Sequence, residues 1–399
     1  MKICFIAPLF EPWGLGGAEK YVETLVKEFS KENEIFVITT QGPKPRENSH
    51  ENSQYRIIEL KTNLINLHSF VSEKYPQSRP RKFLWYFLDI WSYSVFSQIK
   101  TILKKEKPDV VHSNGFQGFS GSMFSAVKSM NIPLIHTLHN YELISHWAAM
   151  YRNGQPIENF NFFDRLYMFY MKRLTSNISA VISPSKFLMD LAVRNGYFKN
   201  SERYVIPNGH KLIQNVLPKQ QNSNEFLYLG RLEKLKGVQI AISAIKKNPN
   251  KDIKFHIVGQ GPHQEFLHNL AKNDERIVFH GYLSREKLEK LFQSCSFAIF
   301  PSLWFENFPL VLNDFMNNGL PVIASNLGAI PEIVHDQHNG ILFEPGNSDH
   351  LSKIITKTMK NSNLLKTLSR NAIESSLKFP IEKQFQSTFE IYQNLTNRD

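Results

Sequence analysis

The sequence contains little cysteine and no long hydrophobic run. Only Cys4 and Cys295 occur among 399 residues, which excludes a disulfide scaffold and a cysteine-rich metal site. Pro12 interrupts the apolar start of the chain too early for a secretory signal. No stretch approaches the roughly 18 apolar residues of a membrane span. We therefore expect a cytoplasmic protein in a reducing compartment.

The composition is that of a folded chain. Hydrophobic residues make up 42% and aromatic residues 13% of the sequence, with 31 Phe, which is enough to fill sizeable cores. Because domains commonly contain about 100–200 residues, the length predicts two of them.

Positive charge is concentrated in one segment. The formal net charge is +11, and residues 74–107 contain eight basic and two acidic side chains. The basic residues are Lys74, Arg79, Arg81, Lys82, Lys100, Lys104, Lys105 and Lys107. Such a segment favours an anionic membrane face, an acidic ligand or nucleic acid, or it is simply a solvated helix surface.

Apolar spacing in this segment predicts one helix over Phe83–Lys105. One row contains Phe83, Phe87, Trp91, Val95 and Ile99, and a second contains Tyr86, Ile90 and Tyr93. A helix buried on two sides explains both rows. The alternative is that the second row and the basic residues rest on a membrane, as the similar segment Phe160–Arg173 would.

Short apolar runs alternate with helical patterns along the whole chain, which predicts parallel sheets with helices on both faces. The pattern restarts at Glu225, after Pro207-Asn208-Gly209 and a polar run over 218–224. We expect an α/β protein of two doubly wound domains, residues 1–209 and 210–379, and a helix over 380–399 that returns to the first domain. Ligands of such folds bind at the carboxyl ends of the strands, here toward a shared cleft. The predicted strands are Ile3–Pro8, Glu34–Thr39, Asp109–His112, Pro133–Leu138, Ala180–Ser183, Glu225–Leu229, Lys254–Val258, Arg276–His280, Phe297–Pro301, Pro321–Ala324 and Gly340–Phe343.

Two first-domain features follow predicted strands. Glycines in 14–17 would let the backbone approach a ligand, although glycines also serve ordinary turns. The dinucleotide fingerprint is not matched, because the second strand ends at Thr39-Thr40 without an acid, so an NAD enzyme is disfavoured. His139 is a candidate donor to developing negative charge, or a structural histidine.

Three second-domain loops carry further candidates. Arg231 and Lys236 could clamp a diphosphate without a metal, or form a solvated basic loop. Glu306 precedes a predicted helix that begins at Pro309, and Asp314 lies inside it, which suits a ligand with hydroxyls at both ends. The alternative is that Glu306 only caps the helix and that Asp314 is an ordinary surface acid. The glycine-rich turn 258–262 serves a ligand or only a turn.

Several segments together resemble one family, the retaining GT-B glycosyltransferases of family 4. The resemblance covers nearly the whole chain in order and is strongest over 226–345. The segments are GGAEKYVETLVKEF, SPSKFLMDLA, VIPNG, YLGRLEKLKGV, HIVGQGP, FHGYLSREKLEKLF and PSLWFENFPLVLNDFMNNGLPVIASNLGAIPEIV.

The resemblance implies roles for individual residues. Arg231 and Lys236 would hold the donor diphosphate and its developing charge, so no metal or other cofactor is required. Glu306 would contact the transferred sugar beside His139, and Asp314 would bind the ribose diol. The other donor-side residues would be Gly16, Gly17, Gly230, Gly259, Asn307, Phe308, Pro309, Leu310 and Val311. His136 and Tyr141 would lie on the acceptor side.

The sequence departs from the family pattern at three places. Asp314 stands where Glu is usual, His210-Lys211 replace an aliphatic residue and Asp, and the segment 139–154 lacks the cysteines of a related subgroup. The last difference suggests a changed acceptor loop.

We expect a retaining hexosyltransferase. It would move a sugar from a nucleoside diphosphate sugar to a glycan that is carried on a lipid. A UDP-sugar is the favoured donor. This reaction belongs to cell-surface polysaccharide biosynthesis at the cytoplasmic membrane face, without nucleic acid. A non-catalytic GT-B binding or partner subunit is the alternative, and a sugar-nucleotide epimerase fits the motif order less well.

Overall fold

A computed structural model describes residues 1–13, 16–42, 54–62, 79–146, 148, 150–152, 155–157, 159–221 and 223–397. The chain forms two compact units. Unit 1 comprises Met1–Ala149, Glu158–Pro207 and Phe385–Asp399, and unit 2 comprises Met150–Ile157 and Asn208–Gln384. Each unit is a parallel sheet with helices, which confirms the predicted α/β class.

The unit 1 sheet has seven parallel strands in the order β3-β2-β1-β4-β5-β8-β9. Its central strands are apolar and buried along almost their whole length, as expected for a sheet covered on both faces. The outermost strands, β3 and β9, are partly exposed, so their weaker apolar pattern did not predict them. The strands are β1 Lys2–Ile6, β2 Glu34–Thr40, β3 Tyr55–Leu60, β4 Val110–Ser113, β5 Leu134–Thr137, β8 Ala180–Ser183 and β9 Glu202–Val205.

The helices of unit 1 differ in how much of their surface is buried: Phe162–Leu174 buries two residues, and Ser122–Lys128 buries five of its seven. In the first helix, Gly17–Phe29, all five predicted apolar residues are buried: Tyr21, Val22, Leu25, Val26 and Phe29. The helices are α1 Gly17–Phe29, α2 Arg79–Leu88, α3 Tyr93–Glu106, α4 Ser122–Lys128, α5 Phe162–Leu174 and α6 Lys186–Arg194.

The single helix predicted over Phe83–Lys105 is wrong, because the chain breaks between α2 and α3. Where α2 ends, the buried Asp89 carboxylate accepts hydrogen bonds from the backbone amides of Gly118 and Ser120, which tie this point of the chain to a distant loop. Ser92 then caps α3 by accepting from the Val95 amide. A sequence pattern of apolar residues does not reveal this long-range contact.

The two apolar rows are also interrupted. Val95 and Ile99 are buried, but Trp91 and Tyr93 are exposed. Tyr86 is half-buried, with its ring 4.7 Å from that of His146. The side chains of Phe83 and Phe87 lie outside the described residues. Neither predicted row is therefore a continuous buried stripe.

The unit 2 sheet has six parallel strands in the order β12-β11-β10-β13-β14-β15. Buried apolar residues cover both of its faces. A separate two-stranded hairpin pairs β6 Tyr151–Arg152 with β7 Gln155–Pro156. The sheet strands are β10 Glu225–Leu229, β11 Lys254–Val258, β12 Ile277–Gly281, β13 Phe297–Phe300, β14 Val322–Ser325 and β15 Gly340–Phe343. The helices from unit 2 onward are α7 Val238–Lys247, α8 Gln264–Ala271, α9 Arg285–Ser294, α10 Leu310–Asn317, α11 Ile330–Ile333, α12 Ser348–Met359, α13 Ser362–Ser376 and α14 Ile381–Thr396.

The last turns of α14 belong to unit 1. Ile391 and Tyr392 lie in its core, and the Tyr392 hydroxyl is 2.6 Å from Nδ1 of His112. Within the described residues no helix combines the length and apolarity that a bilayer crossing needs.

Three loops at the carboxyl ends of the unit 2 strands touch backbone to backbone. Gly237 has φ 72°, and a Cβ there would lie 1.8 Å from the carbonyl oxygen of Pro301. Gly259 has φ 139°, and its Cβ would lie 1.9 Å from the carbonyl oxygen of Gly230. The loops after β10, β11 and β13 therefore approach as closely as they do only because these positions are glycine.

We expect Gly237→Ala to destabilise unit 2 more than Gly346→Ala. Both residues have positive φ, near 72° and 78°, so both substitutions carry the conformational penalty of about 1–2 kcal/mol. Gly346 has room for a Cβ, with its nearest neighbour at 3.7 Å, whereas Gly237 does not, which adds roughly 1–3 kcal/mol of overpacking. Calorimetric melting of the two variants measures the difference. Equal melting temperatures would show that the loops can separate without loss.

Candidate functional site

Lys236 and Glu306, both predicted from the sequence, meet at the carboxyl edge of the unit 2 sheet. Lys236 Nζ lies 2.8 Å from Glu306 Oε1, and the Ser302 hydroxyl donates to the same oxygen at 2.9 Å. Glu306 is buried and Lys236 is largely so. The ammonium also lies 5.3 Å from the centre of the Trp304 ring. The carboxylate is thus held by two donors, and the lysine is held over an aromatic face.

The backbone of Glu306 is fixed by a loop that the sequence analysis did not single out. A Cβ at Gly328 would lie 2.8 Å from the amide nitrogen and carbonyl oxygen of Glu306, so Gly328 permits this close approach. The Ala329 amide donates to the Glu306 carbonyl at 2.9 Å. The Gly-Ala pair before the short helix α11 was the sequence feature that could have indicated this close approach.

Arg231 lies just past the end of β10, as predicted. Its guanidinium is more than half exposed and forms an ion pair with Glu233 at 3.1 Å. The Tyr228 hydroxyl donates to the Arg231 carbonyl at 2.9 Å, which holds the backbone while the side chain extends into solvent. The exposed cation is available to a polyanionic ligand.

The loop before α10 supplies backbone amides. Asn307 and Phe308 are buried, and Phe308 packs edge-on against Phe379 with ring centres 5.6 Å apart. Pro309 occupies the N-cap position and the helix begins at Leu310, one residue later than predicted. The first amides of a helix, here those of Leu310 and Val311, have no carbonyl partner within it and favour an anion.

Asp314 lies on the exposed side of α10. The neighbouring Asn313 is buried and donates to the Asn208 carbonyl at 3.2 Å, which anchors the opposite side of the helix. Neighbouring groups nevertheless shield the Asp314 carboxyl from part of the solvent, and this burial raises its pKa.

His139 lies at the carboxyl edge of the unit 1 sheet. Its Nε2 is 3.0 Å from Asn114 Oδ1, and its ring packs edge-on against Tyr21 at 4.8 Å. Since the amide oxygen only accepts, Nε2 carries the proton. Burial lowers the pKa of His139 to about 3, so the ring is neutral at physiological pH.

His139 lines a cavity of about 150 Å³ in unit 1. Glu142, which the sequence analysis missed, lines the same cavity together with Glu19, Asn114 and Gln117. Burial raises the pKa of the Glu142 carboxyl to about 7, against the opposing effect of hydrogen bonds from two backbone amides. An acid three residues after a strand-end histidine was the signal that could have identified it.

The two predicted acceptor-side residues lie in the interior of unit 1. His136 is fully buried, with Nδ1 2.8 Å from the Ser113 hydroxyl, and burial lowers its pKa to about 3. Tyr141 is almost completely buried. Neither is among the residues that line the cavity. In this structure both side chains contribute to packing and neither is presented to a ligand.

The glycines of the first loop lie at the start of α1. Gly16 occupies the N-cap position and Gly17 begins the helix, and both are exposed. A Cβ at Gly16 would lie 3.1 Å from the Glu19 carboxylate. Gly14 and Leu15 lie outside the described residues.

Two family models match the chain and together span most of it. The Glycosyltransferase Family 4 model matches residues 15–212, and the Glycosyl transferases group 1 model matches residues 210–375. This chain is a GT-B glycosyltransferase of group 1.

Known relatives of this glycosyltransferase span it from end to end. An uncharacterized glycosyltransferase of Methanocaldococcus jannaschii is 28% identical, covering 100% of this chain and 99% of its own. The UDP-Gal:alpha-D-GlcNAc-diphosphoundecaprenol alpha-1,3-galactosyltransferase of Escherichia coli is 23% identical over 73% of this chain and 76% of its own. The structure of Anabaena HepE in complex with UDP has the same fold, with a TM-score of 0.74 at 20% identity over 99% of this chain and 100% of that chain.

One side-chain group in the described part of this glycosyltransferase has the composition of a metal site. Ligand atoms of Glu225, His256 and Cys295 lie within 4.8 Å of one another. Glu225 is the first residue of β10, and Cys295 precedes β13, so the group lies toward the amino ends of the strands. It is therefore separate from Lys236 and Glu306, which follow the carboxyl ends.

We expect Lys236→Met to destabilise unit 2 by about 3 kcal/mol, because it leaves the Glu306 carboxylate buried without its cation. The double variant Lys236→Met/Glu306→Gln should recover most of this loss, since no buried charge remains. Lys247→Met, which breaks the exposed pair with Asp349, is the control and should change stability by less than about 1 kcal/mol. Calorimetry ranks the variants. A double variant as unstable as the single one would show that stability does not depend on the ion pair.

Proposed function

We propose that this glycosyltransferase moves a hexose from a UDP-sugar to a lipid-linked glycan in cell-surface polysaccharide assembly, with retention at the anomeric carbon. The observation that carries the proposal is the Lys236–Glu306 pair, which joins a cation and a sugar-binding carboxylate beside the free amides of α10. HepE was crystallised with UDP, and the Escherichia coli relative acts on a diphosphoundecaprenol acceptor. Retention rests on the resemblance to family 4.

In this proposal the diphosphate is neutralised by protein groups alone. Arg231 offers an exposed guanidinium for bidentate contact, and Lys236 offers a point charge. The amides of Leu310 and Val311 add partial positive charge. As the glycosidic bond breaks, negative charge grows on the diphosphate, and donors fixed in advance stabilise it without reorganisation.

The sugar and the ribose would be held by carboxylates. Glu306 accepts hydrogen bonds from hydroxyls of the transferred sugar. The Lys236 ammonium, which has three N–H donors, keeps its hydrogen bond to Glu306 and donates another to the phosphates. Asp314 accepts from the ribose diol, and its exposed position in the second turn of α10 makes it accessible. Neutral His139 acts toward the sugar as a hydrogen-bond acceptor through Nδ1 and not as a cation, because its one proton is on Nε2 and is donated to Asn114.

We expect UDP to raise the melting temperature more than GDP or ADP, because in this proposal UDP is the nucleotide of the donor. A ligand that binds only the folded state stabilises it by about 2.7 kcal/mol at a hundred times its Kd. Arg231→Ala should reduce that shift and lower the rate of donor hydrolysis or transfer by roughly 10²–10³-fold, as loss of a fixed donor to a developing anion does. Rates should persist in EDTA.

Arg194→Ala is the matched control, because Arg194 is exposed and pairs with Asp190 on α6, in the other unit. An Arg231 variant with unchanged turnover, or a wild type silenced by chelation, would contradict the metal-free clamp. A wild type that binds UDP but neither hydrolyses nor transfers any sugar would favour the non-catalytic alternative.

For the membrane contact we propose α5 as the docking element. Four of its apolar side chains are more than half exposed: Phe162 at 73%, Phe163 at 76%, Leu166 at 55% and Phe169 at 53%. The Arg173 guanidinium lies 4.7 Å from the centre of the Phe169 ring, and Arg165 is exposed on the same helix. Aromatic rings flanked by arginines suit the headgroup region of an anionic leaflet.

We expect vesicles that contain anionic lipid to sediment the protein at low salt and to release it at high salt, because screening shortens from about 10 Å at 0.1 M to about 3 Å at 1 M. Phe162→Ser/Phe169→Ser should reduce capture. Phe266→Ser/Tyr282→Ser removes two aromatic residues of unit 2 that are 51% and 85% exposed, and should leave capture unchanged. A wild type that ignores anionic vesicles at low salt would contradict this surface role.

A further inference from the structure

The cavity beside His139 is acidic although the chain carries a net charge of +11. Its lining includes two carboxylates, Glu19 and Glu142, and among the described residues that form it there is no lysine or arginine. A phosphate or a uronic acid placed here would meet negative charge without a countercharge.

The polar atoms that the cavity offers to a ligand are mainly acceptors. Oε2 of Glu142 faces the amides of Phe116 and Gln117 at 3.3 and 3.4 Å, and its Oε1 accepts no hydrogen bond from the described residues. Glu19 is half-buried and likewise accepts none from that part of the chain. Both carboxylates therefore have capacity for donors that a ligand brings.

Two of the three side-chain amides that line the cavity donate to backbone carbonyls, and the third, that of Asn140, uses its oxygen to accept from the Glu142 backbone amide at 2.8 Å. The Asn114 oxygen binds His139, and its amide group donates to the His112 carbonyl at 3.4 Å. The Gln117 amide donates to the His146 carbonyl at 3.4 Å. Hydroxyl groups, which donate, complement this lining, and carboxylate or phosphate groups, which only accept, do not.

The size of the cavity suits a small polyol. Its volume of about 150 Å³ is many times the roughly 10–15 Å³ that a cavity needs to hold one water molecule. Hydroxyls of one sugar ring that enter such a space can make the hydrogen bonds to its lining that water would otherwise make.

We propose that this cavity is an acceptor subsite that binds a neutral sugar ring through Glu142 and Glu19 and rejects anionic sugars. The inference rests on the proposed glycosyl transfer and specifies its acceptor class. The diphosphate of a lipid-linked acceptor lies outside this cavity, so charge selects which end of the acceptor enters.

The test compares probes that differ only at C6. Ligand-observed NMR at pH 8, above the pKa of about 7 that burial gives Glu142, should detect binding of methyl glucoside and methyl galactoside by the wild type, and about tenfold weaker or no binding of the matching glucuronoside and galacturonoside. In Glu19→Gln/Glu142→Gln the preference should shrink to less than about threefold, because two neutral amides replace two charges. Glu28→Gln/Glu32→Gln makes the same change of charge on the exposed part of unit 1 and should keep the wild-type preference.

Single variants keep the test decisive if the double variant does not fold. Glu19→Gln alone removes a carboxylate that accepts no hydrogen bond from the described residues. It should reduce the preference for neutral over anionic sugars from about tenfold to about fivefold or less. Calorimetry with UDP reports separately on donor binding. A wild type that does not bind UDP would contradict the proposed function, but it would leave the proposed selectivity of the cavity untouched. Equal binding of neutral and anionic probes, or binding of neither, by the wild type would overturn the proposal.

Discussion

The ion pair between Lys236 and Glu306 is the interaction on which the second unit's site depends. A carboxylate as deeply buried as Glu306 is stable only when a cation or several donors compensate it, and Lys236 and Ser302 do so here. The pair needs the loops after β10 and β13 in contact, which Gly237 allows, and Gly328 lets the loop after β14 pack against the backbone of Glu306. In this unit the same loop contacts therefore determine both the packing and the position of the candidate binding residues.

The two units differ in the sign of the charge that they present. Unit 2 offers Arg231 and the helix amides of α10, which suit phosphate, whereas the cavity of unit 1 offers Glu19 and Glu142. A basic chain thus contains a local acidic pocket. Net charge reports on the average surface and does not reveal such a pocket, so the ligands of the two units have to be inferred from individual side chains.

Most of the fold could be predicted because central strands are long apolar runs and α1 has a clean helical period. Lys236 and Glu306 could be placed together because both follow strands of one parallel sheet. The break at Asp89 and the cavity role of Glu142 could not, since both depend on backbone amides contributed by the distant loop 116–120. His136 looked like a site residue because it lies only three residues before His139, but it is inside β5, whose four residues are all buried, and it contacts Ser113 in the core.

The contacts at Gly237 and Gly259 also limit how this enzyme can diversify. Because neither loop has space for a single extra carbon, a change of shape in one loop forces a compensating change in its neighbour. Exchanging one strand-end loop with that of a relative would therefore create a steric mismatch, even where the donor contacts are compatible. A recombined enzyme with altered sugar preference would have to inherit the loops after β10, β11 and β13 as one block.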